Sequence, residues 1–279
     1  MQQRPFQQVD VFSATPYRGN PVAVVLRGDG LSDEQMQAFA RWTNLSETTF
    51  VLEATEPGAD YRLRIFTPHR ELPFAGHPTL GSCHAWLAEG GQPHIADAVV
   101  QQCAAGLIRI RRDSDRLAFA APPCLRSGPL EAELQQRIVR ALSLKPQDVL
   151  DHQWVDNGPG WCAIRLASAD AVLALRPDWA ALHDIKLGVV GAHAPGADAQ
   201  FEVRALIGEG AGYEDPVTGS LNASLAQWLI GTGKANERYV ASQGTCMQRA
   251  GRVFLERDAS AQVWVGGQSV TCISGTVNL

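Results

Sequence analysis

Two stretches of the chain are hydrophobic and carry almost no charge. No Asp, Glu, Lys or Arg occurs from Pro78 to Ala88 or from Pro216 to Gly233, and each stretch is long enough for three helical turns or more. A helix that is apolar nearly all round has no polar face for water, so it must be buried on every side. The pattern therefore predicts two buried helices, one in each half of the chain.

The two stretches begin with similar residues. His77-Pro78 and Asp215-Pro216 both place an ionisable residue before a proline, and Gly-Ser follows at the same distance, at Gly81-Ser82 and Gly219-Ser220. The two copies are 138 residues apart, which is close to half of a 279-residue chain. Similarity at a fixed offset predicts an internal duplication with two related halves.

Most of the remaining chain alternates apolar and polar residues or forms short β-branched runs, both typical of strands. Amphipathic helices are predicted at 31–42, with Ser32 as N-cap, and at 130–142, and a further helix is predicted at 171–187. Few helices, many strands and one buried helix per half indicate an α+β fold. We predict two pseudo-symmetric barrel-like domains, each a curled, mostly antiparallel sheet around a central buried helix.

Composition excludes several classes of protein. The net charge of -5 and the absence of a basic stripe argue against a nucleic-acid-binding protein. No apolar run approaches the ~20 residues of a membrane span, and the first residues lack the apolar core of a signal peptide. We therefore expect no nucleic-acid or membrane partner and a cytoplasmic location.

The six cysteines and seven histidines are dispersed along the chain. No C-x-x-C pair occurs, and no histidine lies at metal-ligand spacing from a cysteine. In a chain of this size and location, free buried thiols are favoured over disulfides. We predict no metal site and, because no nucleotide-binding loop is present, no organic cofactor.

The start of each buried helix is a candidate binding site for an anion. Proline suits the first helical turn, and the residue before a proline avoids the helical region, so His77 and Asp215 are expected near the N-caps. Free backbone N–H groups and the helix dipole favour a carboxylate there. The sequence predicts a small carboxylate substrate bound near Gly76-His77 and Gly219-Ser220. The alternative is that both ionisable residues only cap helices.

Three stretches together resemble one known family. They are Asn44-Leu-Ser-Glu-Thr-Thr-Phe-Val-Leu52, Arg64-Ile-Phe-Thr-Pro68 leading into Glu71-Leu-Pro-Phe-Ala-Gly-His-Pro78, and Glu214-Asp-Pro-Val-Thr-Gly-Ser220. In this order they resemble the phenazine-biosynthesis PhzF-like family. The resemblance covers both halves of the chain and implies the diaminopimelate-epimerase-like fold.

The resemblance also implies a function. Family members isomerise a dihydro-hydroxyanthranilate by moving a proton with a carboxylic acid and no cofactor. Residue by residue, the acid matches Glu47, and its partners match His77, Asp215 and Ser220; Ser46 is a further hydrogen-bond donor beside the acid. The family fold implies that the last strands return to the first domain, which gives domains of 1–120 plus 266–279 and of 126–265. A homodimer is implied by the family alone.

Other interpretations of these residues stay open at this point. Glu47 has no acidic neighbour between Glu34 and Glu53, so it fits a solvated loop or a helix cap as well as acid–base catalysis. A thiol-based epimerase or racemase on the same fold is one alternative, although neither helix start carries a cysteine and Cys83 lies within the first predicted helix. A small-carboxylate-binding protein without turnover is another.

Overall fold

The computed structural model describes all residues from Met1 to Leu279, and the chain divides into two compact units. The first unit comprises Met1–Ala120 and Gly266–Leu279, and the second comprises Ala121–Val265. No helix combines the length and the apolar character needed to cross a membrane.

The elements of the first unit begin with a strand pair and a helix. In chain order they are β1 (Gln3–Val11), β2 (Asn20–Val25), α1 (Asp33–Thr43), β3 (Thr48–Leu52), β4 (Tyr61–Phe66), β5 (Glu71–Leu72), α2 (Gly76–Ala88), β6 (Ala98–Cys103), β7 (Gly106–Asp113) and β8 (Arg116–Ala120). The second unit and the C-terminal return follow as β9 (Arg126–Gly128), α3 (Ala132–Ala141), β10 (Asp151–Asp156), β11 (Trp161–Leu166), α4 (Ala169–Ala174), β12 (Lys186–Ala192), β13 (Phe201–Ile207), β14 (Tyr213–Asp215), α5 (Gly219–Gly231), β15 (Arg238–Gln243), β16 (Gly251–Arg257), β17 (Val263–Gly267) and β18 (Ser269–Asn278).

The sheet of the first unit is mostly antiparallel and encloses α2. Its order is β18–β1–β2–β3–β4, then β5 and β6 along successive parts of β4, then β7 and β8; only β2–β3 and β4–β6 are parallel. The first helix predicted to be buried is α2, and it packs against β1, β2, β3, β8 and β18. At the closest approach, a Cβ added to Gly81 would lie only 2.4 Å from Cγ1 of Val22. Glycine therefore lets this helix lie directly against the strands.

The C-terminal strand β18 pairs with β1 in the sheet of the first unit. The register runs from Gln3 opposite Asn278 to Val11 opposite Ser269, with an irregularity between Gln8 and Val9. Residues at the two ends of the chain are thus neighbours in one antiparallel ladder.

The sheet of the second unit repeats the pairing pattern of the first. Its order is β9–β10–β11–β12–β13, then β14 and β15 along β13, then β16, and again only two pairs, β11–β12 and β13–β15, are parallel. The central helix α5 is buried along most of its length and packs against β10 and β16. The predicted α+β class, with two related barrel-like halves around buried helices, is confirmed.

The amphipathic helices predicted at 31–42 and 130–142 are confirmed, and the prediction of a helix at 171–187 is wrong. Helix α1 has Ser32 as N-cap in a full capping box with Gln35, and α3 occupies Ala132–Ala141. Helix α4 instead ends at Ala174, and β12 begins at Lys186. Pro177 accounts for the early stop, because proline cannot continue the hydrogen-bond pattern and pushes the preceding residue out of the helical region.

Candidate active site

Glu47 lies in the four-residue loop between α1 and β3. The helix ends at Asn44 in the left-handed conformation (φ 55°), which asparagine tolerates better than most residues. The hydroxyls of Thr43 and Thr48 meet at 2.8 Å and join the two ends of the loop. Only 16% of the Glu47 side chain is exposed, whereas the neighbouring Ser46 is open to solvent. The loop thus turns one carboxyl group inward and one hydroxyl outward.

His77 approaches this carboxyl group from the start of α2. Its Nε2 lies 3.3 Å from Oε2 of Glu47, and the residue is buried. His77 lies near the N-cap as expected, but inside the helix: Ala75 is the N-cap and His77 is the second helical residue. Pro78 is still accommodated, since backbone N–H groups of the first turn have no partner within the helix.

Burial fixes the charge of the imidazole. It lowers the pKa of His77 to about 3, and a hydrogen bond with the Pro21 backbone opposes that shift to a smaller extent. His77 is therefore neutral near pH 7 and carries one ring hydrogen. The amide nitrogen of Asn20 lies 3.4 Å from Nδ1 of the ring.

A second contact holds the two sides of this pair together. Thr49, the second residue of β3, shares a hydrogen bond of 2.8 Å with Ser82 of α2, and both residues are fully buried. Glu47 comes directly before β3 and His77 lies on α2, so this bond fixes the loop relative to the helix. Positioning by buried hydrogen bonds on regular elements is what acid–base chemistry requires.

The N-terminus of α2 supplies further donors beside the pair. No side chain caps the helix at Ala75, and Gly76 is buried as its first residue. The backbone N–H groups of Gly76 and His77 thus have neither an intrahelical partner nor a capping side chain. Such a helix end is suited to a carboxylate or another anion.

In the second unit, Asp215 is the last residue of β14, four positions before the first residue of α5. Asp215 thus lies near the N-cap but is not the cap itself, which is Thr218. Asp215 is buried, and its Oδ2 accepts a short hydrogen bond from the Thr218 hydroxyl. Pairing of Asp215 with Ala205 on β13 extends the strand and delays the start of the helix.

Gln243, at the end of β15, joins these residues in one buried network. Its Oε1 accepts from the backbone N–H of Thr218 at 3.0 Å and from the Asn222 amide at 2.8 Å. Its Nε2 donates to the Asp215 carbonyl at 3.1 Å and to the Thr218 hydroxyl at 3.0 Å. Every hydrogen-bonding atom of the Gln243 amide thus holds the start of α5 in place.

Gly219 and Ser220 are the first two residues of α5. Oγ of Ser220 accepts from the indole N–H of Trp161 at 3.0 Å, which leaves the hydroxyl hydrogen to donate. The Ser220 carbonyl accepts from the Asn157 amide at 3.1 Å. The turn before β11, which contains Asn157, thereby holds this serine. In the first unit the corresponding turn leads into β2, and the amide of Asn20, the first residue of β2, contacts His77.

The structure therefore sorts the predicted residues into two groups. Glu47, His77, Gly76 and Ser46 belong to the first unit, where Glu47 and His77 are in contact; Asp215, Gly219 and Ser220 belong to the second. Asn20, Thr49 and Gln243 were not predicted as site residues. Only the tertiary structure shows what their side chains contact. No three His, Cys, Asp or Glu side chains form a group that could hold a metal ion.

Comparison with solved structures identifies the architecture. A phenazine biosynthesis protein of the PhzF family from Bacillus anthracis superimposes over 100% of both chains with a TM-score of 0.84 at 20% sequence identity. At that level of identity the likeness defines the fold. The fold of this chain is therefore that of the PhzF proteins.

Comparison of sequences identifies the class of protein as well as the fold. The trans-2,3-dihydro-3-hydroxyanthranilate isomerase of Pseudomonas fluorescens is 33% identical, covering 97% of this chain and 98% of that protein. A Schizosaccharomyces pombe protein named antisense-enhancing sequence 1 is 37% identical over 99% of both chains. The present chain, like the P. fluorescens relative, is an isomerase. The family model described as phenazine biosynthesis-like protein (PhzC-PhzF) matches residues 9–275, and the chain belongs to that family.

Proposed function

We propose that this isomerase moves a proton between two carbon atoms of a small unsaturated or hydroxylated carboxylate, without a cofactor. Glu47 is the group that takes up the proton and returns it. The observation that carries this proposal is the contact of 3.3 Å between the largely buried Glu47 carboxyl group and the neutral ring of His77. A carboxyl group held in this way is suited to general acid–base catalysis.

The proposed step needs no net gain or loss of atoms. The ionised Glu47 carboxylate removes a proton from one carbon, and the C–H electron pair moves into the conjugated system of the substrate. The resulting carboxylic acid then returns the proton to another carbon of the same molecule. His77, whose Nε2 lies 3.3 Å from Oε2, orients the carboxyl group through both half-reactions.

The substrate carboxylate is proposed to bind backbone N–H groups at the helix starts. In the first unit these are the backbone N–H groups of Gly76 and His77. The exposed Ser46, which precedes Glu47 in the sequence, is proposed as a further donor. In the second unit, taken by itself, we propose Gly219 and Ser220 as donors to a carboxylate and Asp215 as the residue that polarises it. The uncapped N-terminus of α2 and the Ser220 hydroxyl hydrogen support these roles.

Cysteine chemistry fits the structure less well. An epimerase with two thiols needs reactive cysteines at the substrate, but neither helix start contains one. Cys83 is fully buried inside α2, and burial raises the pKa of its thiol to about 12. A thiol in this state is protonated and inert at neutral pH.

The test compares Glu47→Gln with the wild type in D₂O. The first compound to try is trans-2,3-dihydro-3-hydroxyanthranilate, because the P. fluorescens relative is named for it, followed by other small hydroxylated or unsaturated carboxylates. We expect isomerisation and solvent deuterium in the wild-type product. Glutamine keeps the volume of glutamate but takes up no proton, so the rate should fall ~10²–10⁴-fold while binding persists.

Glu53→Gln is the matched control, because Glu53 is an exposed carboxylate just beyond β3. It should retain the wild-type rate. If Glu47→Gln isomerises a substrate as fast as the wild type, the proposed role of Glu47 is wrong. If the wild type binds a carboxylate but neither converts nor exchanges it, the protein acts on a different substrate class or is a binding protein.

A further inference from the structure

The sheet of the first unit contains a gap between β5 and β6. Both strands pair with the same side of β4, but the pairing of β6 ends at Arg62 and that of β5 begins at Ile65. The gap opens a groove of about 370 Å³, whose lining includes Glu56, Arg62, Arg64, Glu71, Leu72 and Gln102. We call it the outer groove, and its volume suits one small molecule.

The outer groove lies on the face of the sheet that points away from the central helix α2. Tyr61 on β4 packs against Trp86 of that helix, with ring centroids 5.2 Å apart. Successive residues of a strand point to opposite faces, so Arg62 and Arg64 point away from α2. Neither Glu47 nor His77 lines the groove. It is therefore separate from the pair described above.

The corresponding place in the second unit is filled by the chain itself. Arg204, the counterpart of Arg64, is only 4% exposed, because its Nη1 donates to two carbonyls at the end of α4. The segment between β15 and β16 also lies against α4, where the Cys246 Sγ contacts a carbonyl at 3.7 Å. In the first unit only Ala104 and Ala105 join β6 to β7. This short turn leaves the groove open.

Arg62 has no partner within the protein. Its Nε is buried without a hydrogen-bond acceptor, and no carboxylate forms an ion pair with its guanidinium group. Arg64, two residues along the same strand, is by contrast paired with both Glu71 and Asp33. A guanidinium group carries five N–H donors in a planar fork that matches a carboxylate. Arg62 thus offers a binding site for a carboxylate that the chain does not supply.

Glu56 brings the opposite charge to the same groove. Nε2 of Gln102 donates to Oε1 of Glu56 at 3.2 Å, and Oε1 of Gln102 accepts from the backbone N–H groups of Thr55 and Glu56 at 2.8 and 3.2 Å. Gln102 therefore holds this exposed carboxylate in place on β6. Glu56 forms no ion pair with Arg62 or with any other cation, so both charges are available to a ligand.

A zwitterion matches this arrangement better than a simple ion. Glu56 repels an inorganic anion that approaches Arg62, and Arg62 repels a simple cation that approaches Glu56. A molecule with both a carboxylate and an ammonium group satisfies the two side chains at once. Leu72 and Ala104 add apolar surface to the lining, which suits an uncharged side chain on the same molecule.

We propose that the outer groove binds the zwitterion of a free α-amino acid with an apolar side chain. Arg62 donates to its carboxylate, Glu56 accepts from its ammonium group, and its side chain lies against Leu72 and Ala104. Binding involves no covalent step and no contact with Glu47.

Isothermal titration calorimetry of the full chain with L-phenylalanine and L-leucine tests this site. At least one of the two should bind the wild type with one-to-one stoichiometry and a Kd below about 1 mM. Arg62→Gln and Glu56→Gln should each weaken that binding at least ~10-fold, because each removes a charged hydrogen-bonding partner. Arg109→Gln is the matched control, since Arg109 is an exposed arginine on β7 outside the groove. It should bind as the wild type does.

A variant that blocks the groove keeps the test independent of charge. Ala104→Trp fills the groove from the turn between β6 and β7 and should abolish binding. Arg62 has no partner to lose, so Arg62→Gln should unfold at the wild-type urea concentration. Circular dichroism checks that every variant is folded.

Two analogues of L-phenylalanine separate a zwitterion site from a site for one charge. 3-Phenylpropanoate lacks the ammonium group and 2-phenylethylamine lacks the carboxylate, so each should bind at least ~10-fold more weakly than L-phenylalanine. Equal affinity for either analogue would overturn the proposal. So would the absence of binding of both amino acids at about 10 mM, or wild-type affinity in Arg62→Gln.

Glu47→Gln distinguishes this site from the proposed active site. It should bind the amino acid with wild-type affinity, because Glu47 does not line the groove. Loss of binding in Glu47→Gln would place the amino acid at the active site and overturn the proposal. The role of Glu47 itself is decided by the rate of isomerisation, so the two proposals fail separately.

Discussion

The starts of the two central helices, compared position by position, show how one folding pattern supports two kinds of site. Asp215 pairs with Ala205 as Leu72 pairs with Ile65, and α5 begins at Gly219 as α2 begins at Gly76. By both criteria the structural offset is 143 residues, not the 138 that aligns His77 with Asp215. Structurally, the counterpart of His77 is Ser220 and the counterpart of Asp215 is Leu72.

The difference between the two helix starts is chemical. The first places a neutral imidazole against a carboxyl group, and such a pair can exchange and redirect a proton. The second replaces the imidazole by a hydroxyl that accepts from Trp161, and Gln243 fixes the adjoining turn. The first helix start thus brings two ionisable side chains into contact, whereas the second is held by a network of hydrogen bonds.

The largest effect on stability is expected at the ion pairs beside these helices. Arg204 and Glu214 pair at 2.7 Å with both side chains buried, and the Arg204 Nη1 also donates to two carbonyls of the α4 segment. Glu214→Ala leaves a buried arginine without its counter-charge. We expect the free energy of unfolding to fall by about 3–5 kcal/mol, measured by urea denaturation.

The structural counterpart in the first unit is the matched control for that prediction. Arg64 pairs with Glu71 at 2.7 Å and with Asp33, but this group is partly exposed. Glu71→Ala should cost about 1 kcal/mol or less. Equal losses in the two variants would contradict the view that burial makes the second pair structurally essential.

A smaller effect is expected from the network at the start of α5. Gln243→Leu removes four hydrogen bonds and leaves the Thr218 N–H and the Asn222 amide without that acceptor. The cost should be about 2–3 kcal/mol, again by urea denaturation. Cys103 occupies the corresponding end of β6, where its thiol contacts the Gly106 carbonyl at 3.5 Å. Cys103→Ala should cost only about 1 kcal/mol. A larger loss for Cys103→Ala than for Gln243→Leu would refute the role of Gln243 in holding the start of α5.

Because the pKa of His77 is lowered, we predict that the free energy of unfolding depends differently on pH in the wild type and in His77→Gln. Between about pH 6.5 and 3 the unfolded chain binds a proton at this residue and the folded chain does not. Wild-type stability therefore falls as the pH falls in this window, by up to about 1.4 kcal/mol per pH unit from this residue.

The measurement is urea denaturation of both proteins from pH 4 to 7.5. Stability of the wild type minus that of His77→Gln should rise with pH up to about 6.5 and then remain constant. Parallel curves would show that His77 titrates normally in the folded protein. The helix start of the second unit offers no equivalent group, because Ser220 does not titrate in this range.

The smallest effect is expected for thiol alkylation. Burial raises the pKa of both core thiols, Cys83 in the first unit and Cys162 in the second, to about 12. Cys124 and Cys246 are exposed. Iodoacetamide at pH 7.5 should modify only exposed cysteines, as read by peptide mass spectrometry, and leave the isomerase rate unchanged. Inactivation that tracks modification of Cys83 would favour the thiol mechanism.

Patterns local in sequence predicted much of this molecule. The absence of charge along α2 and α5 predicted their burial, and the capping residue Ser32 predicted the start of α1. These inferences succeed because helix propensity, capping and hydrophobic periodicity act over a few residues. The helix predicted through Pro177 fails for a related reason: apolar periodicity was weighed above the local conformational limit that proline imposes.

The sequence by itself determined the α+β class, the two buried helices, the duplication and the candidate residues Glu47, His77 and Asp215. The tertiary structure decided which of these residues meet. The contact of Glu47 with His77 and the network around Gln243 join residues distant in sequence, so their geometry depends on sheet register and helix packing. The same packing decides the charge of His77, because the loss of solvent that keeps the ring neutral exists only in the folded chain.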